Sequence, residues 1–137
     1  MDKIRKEIYT KYNHTCAICS SRGRILHCHE VWDFDDKKRL QKLIGLVALC
    51  EDCHNIVHWG RTISELRKRN FSGIYINELT KHFCKVNECT WADFDSHKVK
   101  VGAINFTRNQ KGNKKWKIDW GLFKPDKVIK TYEEMTK

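Results

Sequence analysis

The stretch that decides the fold is Leu49-Cys50-Glu51-Asp52-Cys53-His54-Asn55-Ile56-Val57-His58. Two residues separate its cysteines, so one tight turn can aim both sulfurs at a single point. Cys16-Ala17-Ile18-Cys19 carries the same spacing upstream. Two such turns supply the four thiolates that zinc takes in a tetrahedron. The opening residues Met1-Asp2-Lys3-Ile4-Arg5-Lys6-Glu7 hold no apolar signal-like stretch, so a reducing, cytoplasmic setting is expected. Disulfides are disfavoured there. The frame therefore predicts a structural zinc on Cys16, Cys19, Cys50 and Cys53, closing a loop of about 30 residues. Cys28, Cys84 and Cys89 are left over, and the last two read as core thiols.

The histidines fall beside this frame. His54 and His58 are four apart, so on a helix they share a face and can hold one metal together. Glu51 and Asp52 ahead of them suit the positive end of a helix. In His27-Cys28-His29-Glu30, strand alternation sends the two imidazoles to one face and Cys28 and Glu30 to the other. If that strand lies against the helix, four imidazoles converge, which points to a metal or catalytic role.

Working outward, Ile4, Ile8 and Tyr12 recur at helical spacing in Lys3–Tyr12. Arg22-Gly23-Arg24 closes a turn, and Arg24–Phe34 reads as a strand. The polar run from Asp33 to Lys38 turns the chain back into a second strand, Leu40–Leu49. Gly45 inside it predicts a bend or the close approach of another backbone. Thr62-Ile63-Ser64-Glu65 fits a capping box and predicts a helix starting there. Leu79, Phe83 and Val86 mark a helix over Asn77–Val86, and Thr90-Trp91-Ala92-Asp93 opens another. Trp116, Ile118 and Trp120 alternate with polar residues, predicting a half-buried late strand. The class is α+β.

A chain of 137 residues with 40% hydrophobic and 11% aromatic content can bury one core. No apolar run reaches the roughly 18 residues of a membrane span, so no membrane partner is expected. The net charge is +10, and it is uneven. Residues 98–137 carry 11 basic and 4 acidic side chains, or +7, against +3 for residues 1–97. A basic segment holding Trp116 and Trp120 suits a polyanion, with Lys111, Lys114, Lys115 and Lys117 as candidate contacts.

Taken in order, Cys16-x2-Cys19, Leu26-x2-His29 and Leu49-Cys50-x2-Cys53-His54-x3-His58 resemble the zinc-bracketed HNH endonucleases of the ββα-metal fold, across residues 14–59. Leu79-Thr80-Lys81-His82-Phe83, Val86-Asn87 and Trp116-x-Ile118-Asp119 resemble, more weakly, the tails of small bacterial and phage members. The resemblance implies a ββα-metal core over residues 1–60 with structural zinc, and a basic helical and strand extension over residues 61–137 packed on it. It implies a metal-dependent DNA endonuclease or nickase in a bacterial or phage-infected cell. His29 would activate water, and His54 with His58 would hold Mg²⁺ or Mn²⁺, with Ni²⁺ or Zn²⁺ as options.

Two positions depart from the family pattern. An Asp or His metal ligand usually precedes the base, and here Cys28 stands there. Glu30 lies on the opposite face, so His27 or Cys28 itself is expected as the further ligand of the catalytic metal. The family asparagine that orients the base falls at Gly45. These departures keep a second expectation in view, a zinc-stapled module that binds nucleic acid with weakened catalysis. A third is a protein-binding surface built on Trp32, Trp59, Trp91, Trp116 and Trp120. Double-strand cleavage by one such site per chain would call for a homodimer.

Overall fold

A β-hairpin whose two faces carry different chemistry stands at the centre of the protein. The computed structural model describes residues 2–70, 73–110 and 116–120. Among these, the elements run α1 (Asp2–Lys11), β1 (Leu26–Asp35), β2 (Leu40–Cys50), α2 (Glu51–Val57), α3 (Trp59–Lys68), α4 (Ile74–Asn87), α5 (Trp91–Gln110) and β3 (Lys117–Asp119). The strands form one sheet in the order β1-β2-β3, with β2 antiparallel to β1 and parallel to β3. The protein is thus mixed α+β.

The register of the hairpin sorts its side chains. His27 lies opposite Leu49 and His29 opposite Val47, while Cys28 faces Ala48 and Glu30 faces Leu46. Directly opposed residues share a face. Helix α1 covers the second set: Ile4, Cys28 and Leu46 form one buried cluster, with Ile8 and Tyr9 packed against it. Tyr9 Oη donates to the Leu26 carbonyl at 2.9 Å, fixing the helix against the end of β1. Burying each large aliphatic side chain there is worth about 1.5–3 kcal/mol.

The other face holds Leu49 with Cys16, Cys50 and Cys53, flanked by Cys19 and Val47. Helix α2 begins where β2 ends, and Cys50 caps it: its Sγ accepts the Cys53 N–H at 3.5 Å. The Ala17 N–H donates to the Ala48 carbonyl at 2.8 Å, stitching the upstream cysteine turn to β2. Both cysteine turns are therefore anchored by backbone bonds.

Three local expectations are corrected. A Cβ at Gly45 would meet nothing within 4 Å, so no backbone crowds it. The register instead shifts between Val31 and Trp32, which pair with Gly45 and Leu43, leaving Ile44 as the extra residue of a bulge. The helix assigned to start at Thr62 begins at Trp59. Thr62 is inside it, buried, and its Oγ1 donates to the Asn55 carbonyl at 2.8 Å, so its hydroxyl serves the α2–α3 junction. The late strand is short, and Ile118 is 49% exposed. Its flanking rings hold it: Trp116 meets Phe34 and the Arg39 guanidinium, and Trp120 meets Trp32.

Thr90 and Asp93 do cap α5, each side chain bonding the other's backbone N–H. Helix α4 packs on α2 and α5 on α4, with Phe94 buried between Phe83 and Trp59. Arg108 near the end of α5 pairs with Asp36 at 2.8 Å, tying that helix to the hairpin turn. Among the described residues no helix is long and apolar enough to cross a membrane. Lys111, Lys114 and Lys115 lie outside the described residues, and Lys117 is in β3.

Candidate metal centres

The ligand atoms of Cys16, Cys19, Cys50 and Cys53 all lie within 4.8 Å of one another. Cys16, Cys50 and Cys53 are almost fully buried, at 1%, 0% and 2% exposure. Four sulfurs this close repel as thiolates. Burial pushes the Cys16 thiol up, but backbone N–H groups of Cys19, Cys50 and Ile18 outweigh it and bring it down to about 7. Burial pushes Cys50 up, and it pushes Cys53 far up with the added charge of Cys16 and Cys50. One thiolate forms readily and the next are opposed. A divalent cation removes that opposition, so the donor set fits a metal such as zinc.

Two side chains outside the cysteines address these sulfurs. The Arg24 guanidinium reaches Cys50 Sγ at 3.8 Å while pairing with Asp52 at 2.7 Å. From α4, His82 Nε2 sits 3.2 Å from Cys53 Sγ. Tyr75 on the same helix donates to Asp52 at 3.1 Å and accepts from the Asn55 amide at 2.9 Å. The extension therefore braces the cysteine centre directly. His82 belonged to a motif noted in the sequence, but no spacing rule links residue 82 to residue 53.

The second cluster joins His29 from β1 to His54 and His58 from α2 and its C-cap, with their ligand nitrogens again within 4.8 Å of one another. His29 Nδ1 is 3.2 Å from His58 Nε2. The rings of His54 and His58 are 4.8 Å apart, and those of His29 and His54 5.4 Å. His27 stacks beside His54 at 4.8 Å but lies outside this group of three. The Cys28 alternative is corrected: it sits on the other face under α1, and burial with the Glu30 charge pushes its thiol up to about 11. Glu30 departs from strict alternation at its tip, since its carboxylate comes within 3.9 Å of His29 Nδ1.

All three imidazoles are held neutral. Burial drives His54 down to about 3, and the crowding of imidazoles and the Arg61 charge oppose a proton there further. Burial and Arg61 take His58 down to about 4, and burial lowers His29 against the pull of Glu30. Neutral imidazoles present free lone pairs at pH 7, as metal ligands must. The group is half-buried where the cysteine group is closed, and it offers three ligands where the other offers four. That is how an open metal site differs from a structural one. Arg61 was not singled out in the sequence, although it lies one helical step beyond His58.

No family model matches the chain, and neither a curated protein nor a solved structure matches it. The described residues therefore define a class by geometry alone: an α+β protein with one four-cysteine cluster and one three-histidine cluster on a shared hairpin and helix.

Proposed function

We propose that the protein is a metal-dependent endonuclease or nickase acting on DNA. One observation carries the reading: His29, His54 and His58 bring three neutral imidazole nitrogens within 4.8 Å of one another beside the Arg61 charge. The succession β1, β2, α2 and the order of its Cys and His residues support the resemblance to the zinc-bracketed HNH nucleases.

In this reading His29 accepts a proton from the attacking water, since its imidazole is neutral and the Glu30 carboxylate lies 3.9 Å from its Nδ1. His54 and His58 hold the divalent cation, which when bound stabilises charge on the phosphate and the leaving oxygen. Arg61 offers a guanidinium to a phosphate oxygen, and the basic residues of the extension, Lys117 among them, track the backbone. An all-imidazole set favours Mn²⁺, Ni²⁺ or Zn²⁺ over Mg²⁺, which prefers oxygen ligands.

A second reading is a module that binds DNA and cuts weakly. The absence of a carboxylate from the histidine group among the described residues favours it. Supercoiled plasmid with each metal or with EDTA separates the two. The enzyme nicks it with Mn²⁺ or Ni²⁺ and loses that activity as His29→Ala. Retention of DNA without cutting by wild type selects the binding module.

A further inference from the structure

A groove of about 620 Å³ opens beside the histidine cluster, between the α2–α3 junction and α5. That volume falls in the range of about 300–1,000 Å³ that small ligands occupy. Its floor is the ring of Trp59, which the buried Phe94 supports edge to face with centroids 5.0 Å apart, and Val101 extends the apolar lining along α5. Its charged lining is one-signed. Arg61 and Lys98 line it, and among the described residues no Asp or Glu does. Lys98 Nζ hovers 4.7 Å from the Phe94 centroid and 5.3 Å from that of Trp59, with Asp95 at 3.1 Å outside the lining. His58 belongs both to this lining and to the three-imidazole cluster.

We propose that this groove receives one unstacked nucleobase of the bound nucleic acid, next to the phosphate held at the histidine cluster. The proposal rests on the nuclease reading and names its substrate class: DNA with an unpaired or extruded nucleotide. A flat ring with an attached phosphate matches the lining's chemistry. The aromatic floor takes the ring, and the cation over it moves to a flanking phosphate. A purely apolar occupant leaves the Arg61 charge unused, and a free anion leaves the aromatic floor unused. The shared His58 sets the distance, since base and phosphate of one nucleotide must be neighbours.

Gly102 supplies a clean test. It lines the groove from within α5, a Cβ there meets nothing within 4 Å, and leucine is a better helix former than glycine. Gly102→Leu therefore fills the groove and keeps the helix. Fluorescence anisotropy compares a duplex carrying one unpaired 2-aminopurine with the same duplex fully paired, in Mn²⁺. Wild type binds the first about tenfold more tightly, the scale of one base on an aromatic platform, and quenches its fluorescence. Gly102→Leu loses the preference and the quenching while keeping its affinity for the paired duplex. Equal binding of both duplexes by wild type overturns the base pocket and leaves the nuclease reading standing. A preference that survives in Gly102→Leu also overturns the pocket. Binding of neither duplex overturns the pocket and the nuclease reading together.

Discussion

The two clusters share a hairpin and a helix yet differ in what surrounds them. The cysteine centre is the more closed: three of its four cysteines are buried, Arg24 and His82 brace it, and it groups four candidate ligands. The histidine centre is half-buried, groups three imidazoles, and borders both the Arg61 guanidinium and a groove. One chain has built a site that suits holding and a site that suits exchanging. The difference comes from position along β2 and α2. The cysteines sit at the strand–helix junction, where backbone bonds and Leu49 enclose them. His54 and His58 lie further along α2 and at its C-cap, and His29 meets them from β1.

Breaking the closed centre should cost most. Cys16→Ser removes one of four ligands, and in small zinc domains metal binding supplies folding free energy of about 10 kcal/mol or more. The expected outcome is zinc loss by atomic emission and collapse of the thermal transition in circular dichroism. A wild-type melting curve in this variant would refute the assignment. Breaking the open centre should spare the fold. His29→Ala is expected to lower metal-dependent nicking by about 10²–10⁴-fold while melting near wild type.

Acid should affect the open centre through proton uptake. His54 and His58 stay neutral in the fold down to about 3 and about 4, against an ordinary value of 6.5. The unfolded chain binds protons first, so their stabilising share is complete above pH 6.5 and is lost as pH falls toward the folded values. Discounted for partial exposure, the two groups together predict a loss of about 2 kcal/mol between neutral pH and about pH 5. Calorimetry across that range checks it, and His54→Gln should flatten the slope.

Two smaller changes sharpen the contrast. His82→Phe keeps the ring volume on α4 but removes the nitrogen facing Cys53, and zinc transfer to a chelator should quicken about tenfold. Unchanged transfer would make His82 a packing residue only. Gly45 pairs with Val31, two residues beyond His29 on the same face, and it has open space around its Cα. Gly45→Asn should place an amide near the His29 ring and raise nicking severalfold, read on the same plasmid. A fall in activity would show that the bulge at Ile44 does not tolerate the side chain.

Much of the frame was legible beforehand because its signals are local. The two Cys-x2-Cys turns, the His54/His58 spacing, the alternation of His27 and His29, and the polar hairpin turn each depend on a few neighbouring residues. The errors arose where distant groups competed. The Thr62 spacing predicts a cap, but the Asn55 carbonyl, seven residues back across the α2–α3 junction, takes its hydroxyl. Of the two readings of Gly45, a bend or a close approach, no backbone comes close, and the strand carries a bulge at the neighbouring Ile44. Glu30 keeps the face that strand alternation predicts, opposite Leu46, and only its carboxylate comes within 3.9 Å of His29 Nδ1.

By itself the sequence determined the donor types, their spacing and the uneven positive charge, because covalent order and side-chain periodicity are local properties. Only the tertiary structure decided that His29 joins His54 and His58 while Cys28 goes under α1, that His82 reaches across to Cys53, and that Arg61 borders a groove shared with His58. Those outcomes depend on which face packs and which face stays open. That choice is made by burial summed over the whole fold, which no short stretch of chain encodes.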